Sequence, residues 1–280
     1  MKIAVTGASG FVGRYVIAEL NKYEVDIIAI SRQSSFSFRE YSKVVVVNLD
    51  ISRPPTDVYN LVGSPDILIH LAWGGLNDFL SIDHMSSELP IHYNFLKLMI
   101  KSGLRTLFVS GTCLEYGLQS GPLAESMTTY PICSYGVAKN RLRKQLELLG
   151  KQFPVNMKWG RIFYTYGDGQ AQGSLFTQLK LQVEQGNILF NMSGGEQIRD
   201  FLSIKLVAKY IVEIAMSDKN IGTINICSGK PISVKEIVET WIAENAWDIE
   251  LNLGYYTYPQ YEPMSFWGDV QKLKNNLTLL

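Results

Sequence analysis

Short apolar runs alternate with longer stretches of helical spacing through the first half of the chain. Ile3–Val5, Asp26–Ile30, Val44–Val47, Ile67–Leu71 and Thr106–Val109 are each bounded by polar or turn residues, the pattern of strands buried on both faces. Between them, Phe11–Lys22 and Leu89–Ser102 repeat apolar residues at the three- and four-residue spacing of a helix with one buried face. Strands alternating with crossover helices predict an α/β fold, a doubly wound parallel sheet with both faces covered. Val155–Phe163 continues the series as a sixth strand. After Tyr166 the pattern changes. Gly167-Asp168-Gly169-Gln170 reads as a loop, Leu175–Gln185 as a helix, Ile188–Asn191 as a strand and Gly194-Gly195 as a turn. Ile204–Ser217 and Val234–Asn245 are amphipathic, and Tyr255–Trp267 is rich in aromatics and proline. The predicted organisation is a sheet domain over residues 1–166 and a smaller domain mainly over 167–280, with 201–227 returning to the first.

Composition narrows the picture. A chain of 280 residues with 46% hydrophobic and 19% charged positions has the balance of a soluble globular protein with a large core. Lys plus Arg equals Asp plus Glu at 26 each, so no net field draws in nucleic acid or a membrane surface. An anionic ligand then needs a local site. Cys113, Cys133 and Cys227 show no paired spacing, and His70, His84 and His92 form no ligand pattern, so thiols in a reducing compartment and no metal are expected. The glycine at position 7 comes too early for a signal peptide, and no apolar run reaches spanning length. A cytoplasmic location is the expectation.

The first strand runs directly into Thr6-Gly7-Ala8-Ser9-Gly10-Phe11-Val12-Gly13 and then a helix. Gly7 and Gly10 allow a tight turn with close backbone approach, Gly13 lets helix pack on strand, and the N–H groups around Phe11 and Val12 face an anion. In that strand–loop–helix context the spacing predicts a dinucleotide pyrophosphate site. The second strand ends Ile28-Ala29-Ile30-Ser31-Arg32, without the carboxylate that favours a free ribose 2′-OH. Ser31 and Arg32, with Arg14 as a second contact, suit a 2′-phosphate and hence NADP(H), with NAD(H) still open. Asp50-Ile51 follows the third strand, where the carboxylate meets an adenine amino group or serves as a cap.

Tyr135 and Lys139 lie four residues apart in Ser134–Leu142, on one helical face. Together with the glycine loop and Thr112, this pair resembles the extended short-chain dehydrogenase/reductase family. The likeness runs in order through TGASGFVG, HLAW (His70–Trp73), Asn94, SGTCLEYG (Ser110–Gly117), PICSYGVAK (Pro131–Lys139) and GGEQIRDFLSI (Gly194–Ile204). It implies a Rossmann domain with a small C-terminal substrate-binding domain, and a nucleotide-activated sugar as substrate. It implies cofactor contacts at Leu71, Ala72, Trp73, Tyr135 and Lys139. It makes Tyr135 the acid/base, Lys139 the group that lowers the phenol's pKa and bonds the nicotinamide ribose, and Thr112 a hydrogen-bond partner of the reacting oxygen.

Dehydratases of the family follow the threonine with Asp-Glu, whereas this chain reads Thr112-Cys113-Leu114, and Glu115, one position on, points to the opposite side if the segment is extended. Epimerases of the family have Asn where Tyr164 stands. The GTCLEYG segment and the tail, Tyr258-Pro259…Tyr261-Glu262-Pro263…Phe266-Trp267-Gly268-Asp269, resemble the dTDP-6-deoxyhexose 4-ketoreductases within the family. The resemblance therefore implies NADPH-dependent reduction of a 4-keto-6-deoxyhexose for surface polysaccharide synthesis. Substrate contacts are expected at Thr112, Tyr135, Tyr164 and Arg199, the last as a diphosphate clamp. A surface salt bridge of Arg199 with Asp200, and simple packing of the tail, are the plainer readings. An NAD-bound 4-epimerase and a non-catalytic NADP sensor are the rival functions. Homodimerisation is implied through Leu89–Ser102 and Val137–Leu149.

Overall fold

The apolar runs pair edge to edge in the computed structural model of the chain, which describes residues 1–32, 38, 41, 43–259 and 261–277. In chain order the first elements are β1 (Lys2–Thr6), α1 (Phe11–Leu20), β2 (Asp26–Ser31), β3 (Val44–Asn48), α2 (Val58–Leu61), β4 (Ile67–His70) and α3 (Leu89–Lys101). Then come β5 (Thr106–Thr112), β6 (Gly121–Leu123), α4 (Ser134–Gly150), β7 (Asn156–Ile162), β8 (Tyr164–Tyr166), α5 (Leu175–Glu184), β9 (Leu189–Asn191) and β10 (Ile198–Ser203). The remainder is α6 (Ile204–Met216), β11 (Gly222–Ile226), β12 (Pro231–Ser233), α7 (Val234–Asn245), β13 (Glu250–Asn252), β14 (Phe266–Gly268) and α8 (Gln271–Asn276). Among the described residues, no helix is long and apolar enough to cross a membrane.

Seven strands form the large sheet in the order β11-β7-β5-β4-β1-β2-β3, all parallel. Side chains alternate between its faces, as strand geometry requires. Ile3, Val5, Ile27, Ala29, Ile67 and Ile69 pack under α1 and α6. Ala4, Ile28, Ile30, Leu68, Leu107 and Val109 pack under α3 and α4. The strand order reverses between β1 and β4, and the crevice beyond their carboxyl ends is where such sheets bind ligands.

The structure goes beyond the sequence pattern, and two of the differences shape the large sheet. β5 continues past Val109 to Thr112, because its pairing with β7 runs on through Thr112 and Ile162. β11 adds an edge strand whose apolar alternation is interrupted by Asn225, a buried residue that accepts from Tyr116 Oη at 2.7 Å. Thus α6 and β11 belong with the large sheet, while β10 pairs with β8 and β12 in a three-stranded one. The cap has its own core of Leu179, Phe190, Met192, Ile237, Val238 and Trp241. The tail returns to the base, where β14 pairs with β6.

Beyond β5 the chain turns through a 3₁₀ segment, Cys113–Tyr116, whose ends are cross-braced. Thr112 Oγ1 accepts from Leu114 N at 3.2 Å, and Glu115 Oε1 accepts from Thr112 N at 3.0 Å. The fully buried Glu115 carboxylate also accepts from Trp159 Nε1 at 2.8 Å and from Arg161 Nε at 3.0 Å. Gly111 makes room for this: a Cβ there would sit 2.1 Å from Trp159 Nε1. The segment is thus helical rather than the extended one on which Glu115 would have turned to the opposite side; its carboxylate is drawn instead to Trp159 and Arg161 on β7.

Removing that carboxylate strands a buried guanidinium. Glu115→Ala is expected to destabilise the fold by about 3–5 kcal/mol, read from urea denaturation with Glu115→Gln as the milder control. A loss under about 1 kcal/mol would show that the carboxylate is not what holds the strand ends.

Candidate active site

The loop after β1 is shaped by contacts that only glycine permits. Gly7 has φ +67°, and a Cβ there would lie 2.8 Å from Ala72 N, so the loops after β1 and β4 touch backbone to backbone. A Cβ on Gly13 would lie 2.1 Å from Gly7 O. α1 begins at Gly10 with no side-chain cap and no acidic residue in its first turn. Its free N–H groups and positive dipole end therefore fit a pyrophosphate. They open on a cavity of about 610 Å³.

Apart from Arg14, the cofactor residues expected from the sequence line this cavity: Gly7, Gly10, Phe11, Val12, Gly13, Ser31, Arg32, Asp50, Ile51, Leu71, Ala72, Trp73, Tyr135 and Lys139. Arg14 is different. Its Nη2 donates to Gly169 O at 3.0 Å, and beside it Tyr15 Oη donates to Asp168 O at 3.0 Å, so both tie α1 to the loop after β8. Asp50 accepts from Ser52 N at 2.9 Å, which holds its carboxyl below the usual range.

At the other end stand Thr112, Tyr135 and Lys139. Tyr135 lies in the first turn of α4, its ring stacked on Phe79 at 5.2 Å and edge-on to Trp73 at 6.0 Å. Lys139, one turn on, is buried; its Nζ donates to Ser110 O at 2.9 Å and lies 4.0 Å above the Trp73 ring. Burial lowers the Lys139 amine to about 7 against the pull of Glu115 and Glu88. The Tyr135 phenol moves up rather than down, first through burial and then through Glu115, Cys113 and Cys133. The Lys139 Nζ is directed at Ser110 O, and burial lowers its own proton affinity. In this state Tyr135 holds its proton at neutral pH.

The three histidines make no metal spacing in sequence, yet all gather behind Trp73. Glu88 is an acceptor, so His92 Nε2 donates to it at 3.0 Å. His92 Nδ1 then accepts from His70 Nε2 at 2.8 Å, and His70 Nδ1 accepts from Thr6 Oγ1 at 2.8 Å. Every ring nitrogen is satisfied with both imidazoles neutral. Glu88 Oε2 also accepts from Gly74 N at 2.7 Å, and His92 stacks on Trp73 at 4.5 Å with planes 12° apart. Trp73 Nε1 donates to His84 Nδ1 at 3.1 Å. The network locks the indole that faces Lys139. Glu88 and His92, four apart on helical backbone, were the available sequence signal.

On the cap side, Tyr164 and Glu262 line the cavity, with Cys113 and Leu114 where a dehydratase needs its acid and base. Tyr164 Oη donates to Glu262 Oε1, and Arg199 Nη2 donates to Glu262 Oε2 at 2.9 Å. Arg199 is buried, also donates to Ile198 O at 2.9 Å, and is not among the residues lining the cavity. The surface pair with Asp200 does not form: Asp200 is buried and accepts from Ser228 N at 2.7 Å and Gly229 N at 2.9 Å. Glu262 is the site residue that the sequence motif contained but did not single out.

Comparison with known proteins fits this geometry. Residues 3–227 match the family described as the NAD dependent epimerase/dehydratase family. The chain is 32% identical to dTDP-6-deoxy-L-talose 4-dehydrogenase (NAD(+)) of Aggregatibacter actinomycetemcomitans, over 96% of this chain and 99% of that one. In fold it is similar to UDP-glucuronic acid 4-epimerase from Bacillus cereus, solved with UDP-glucuronic acid and NAD: TM-score 0.84, 23% identity, 100% of this chain and 94% of that chain. UDP-glucose 4-epimerase from Thermotoga maritima superposes with TM-score 0.82 at 20% identity, over 98% and 92% of the two chains.

Burial holds His70 and His92 below the ordinary histidine value of 6.5. The unfolded chain takes up protons near pH 6.5 while the folded one stays neutral, so their contribution is full above that pH and is lost as pH falls toward the folded values. Denaturant midpoints are expected to fall from pH 7 to pH 5, by up to about 1.4 kcal/mol per pH unit for each histidine. His92→Gln should flatten that slope, and a wild-type profile flat over the interval would contradict the neutral assignment.

Proposed function

The chain belongs to the NAD dependent epimerase/dehydratase family, and we propose that it reduces the C4 keto group of a nucleotide-linked 4-keto-6-deoxyhexose. It is a nicotinamide-dependent oxidoreductase; the finer assignments are dTDP as carrier, NADPH as donor and surface polysaccharide synthesis as destination. One observation carries the reading. A protonated Tyr135 and Thr112 share the cavity with Cys113 and Leu114, side chains without the acid–base capacity that elimination requires. The 4-dehydrogenase named among the relatives supports the C4 position and the dTDP carrier.

A reduced nicotinamide bound in this cavity supplies the hydride. Thr112 and Tyr135 offer hydroxyl groups to the ketone oxygen, polarising it where negative charge develops. Tyr135 gives its proton to that oxygen, and the phenolate left behind favours the ammonium form of Lys139 one helical turn away. Reprotonation from solvent restores the acid. A separate dehydratase must make the keto sugar, because no carboxylate follows Thr112 at the two positions that would need one.

NADP(H) rests on Ser31 and Arg32 at the adenosine end of the cavity, with no carboxylate at the end of β2. NAD(H) is the competing reading: Asp50 lies close enough to feel the Arg32 charge, and the relative's name carries NAD(+). Catalytic efficiency with NADPH is expected to exceed that with NADH, and Arg32→Asp to reverse the order by about ten- to a hundredfold, the range for a lost charge-assisted bond. Equal or better use of NADH by the native enzyme overturns the NADP assignment.

Tyr135→Phe is expected to bind cofactor normally and lose about a hundredfold or more in turnover. The reaction itself is tested by giving dTDP-glucose to the protein alone, then with an added 4,6-dehydratase and NADPH. Only the second mixture should yield a 6-deoxyhexose with a C4 hydroxyl, identified by NMR. Interconversion of dTDP-glucose and dTDP-galactose without net cofactor use would make the protein an epimerase instead.

A further inference from the structure

The cap-side wall of the cavity carries a negative charge. Glu262 lines the same cavity as Thr112, Tyr135 and Cys113, and its charge reaches the Cys113 thiol, which burial first and then Glu262 push up. Arg199 lies behind it, bound to Glu262 Oε2 at 2.9 Å and to the carbonyls of Ile198 at 2.9 Å and Met264 at 3.3 Å. Its guanidinium also stacks on Phe266, 4.6 Å from the ring centroid. The cation is thus spent on holding the carboxylate, and the carboxylate is the nearer charge to anything in the cavity. Among the described residues each carboxylate oxygen has one protein donor, Tyr164 Oη or Arg199 Nη2, and a second lone pair to offer.

We infer that Glu262 is a specificity-determining residue that reads the sugar. It accepts a hydrogen bond from a sugar hydroxyl or ammonium and excludes sugars that carry a carboxylate. This rests on the nucleotide-sugar reading above and adds the residue that enforces a neutral or cationic sugar over a uronic acid. A uronate brings a like charge toward Glu262 in a partly buried site, where the repulsion is weakly screened. A neutral hexose meets an acceptor already held in place by Tyr164 and Arg199, so little order is lost on binding.

The test is binding to the cofactor-loaded protein by calorimetry, with matched pairs that differ only at C6: dTDP-glucose against dTDP-glucuronate, and UDP-glucose against UDP-glucuronate. The glucuronate is expected to bind at least about tenfold more weakly in whichever pair binds, the scale of one charged hydrogen bond or ion contact. Glu262→Gln should narrow the gap to about twofold, chiefly by tightening the glucuronate, while dTDP alone binds as before. Equal binding of the two sugars by the native protein overturns this inference and leaves the parent reading intact, even where the variant fails to fold. A tenfold gain for dTDP alone in Glu262→Gln also overturns it, because the carboxylate would then be occupying the diphosphate's place on Arg199. Binding of no nucleotide sugar sinks the parent reading and this inference with it.

Discussion

Glu115 has no water to face, and an ionised carboxylate in that position is tolerable only when its lone pairs meet donors. The donors it finds are the Thr112 amide at the end of β5 and the Trp159 and Arg161 side chains on β7. Arg143 of α4 approaches to 3.7 Å. One charge therefore draws together the strand end that bears Thr112, the neighbouring strand, and the helix that bears Tyr135 and Lys139. It also tunes them from behind, raising the Tyr135 phenol and favouring the Lys139 ammonium. Positioning and proton affinity at the catalytic end have a common source.

Lys139 shows why a second network is needed. Burial lowers the amine's proton affinity, and the countervailing attractions come from Glu115 and Glu88. Glu88 is placed by the Gly74 amide and by His92, and His92 is placed by His70 and Thr6. That chain begins at the carboxyl end of β1, beside the glycine loop, and ends beside the reacting groups. The indole stacked on it gives the ammonium a polarisable face where solvent is absent. Both protein-bound ends of the cavity are thus referenced to the same two strands, β1 and β4.

Much of this was legible in the chain itself. Parallel strands covered on both sides print unbroken apolar runs, so β1, β2 and β4 are plain in sequence, and the glycine loop is plain because its demands are local. β3 prints the same run, yet it is the edge strand and leaves Val45 exposed, so its expected burial on both faces does not hold. Three-residue strands such as β6, β12, β13 and β14 carry too few positions for any period to show. Distance in sequence hid the rest. Glu115 meets Trp159 and Arg161 across 44 and 46 residues, and Glu262 meets Arg199 and Tyr164 across 63 and 98. A motif can name Arg199 as a phosphate fork, but only the course of the tail decides which anion the fork meets. Likewise the spacing of Tyr135 and Lys139 puts them on one face without saying that the ammonium turns to Ser110.

Residues 161–164 join the two halves of the site. Arg161, near the end of β7, reaches Glu115 on the catalytic side, and Tyr164, at the start of β8, reaches Glu262 on the cap side. Each carboxylate has an arginine as its counter-charge, Arg161 for one and Arg199 for the other. β8 in turn pairs with β10, which carries Arg199, so the second clasp closes on the strand that neighbours the first. The sole residue between β7 and β8, Phe163, is buried against Cys227 and Phe266 and leaves no slack at the junction. On the proposed reading, this one chain segment sets the orientation of the sugar, with Tyr135 on its near side and Glu262 on its far side.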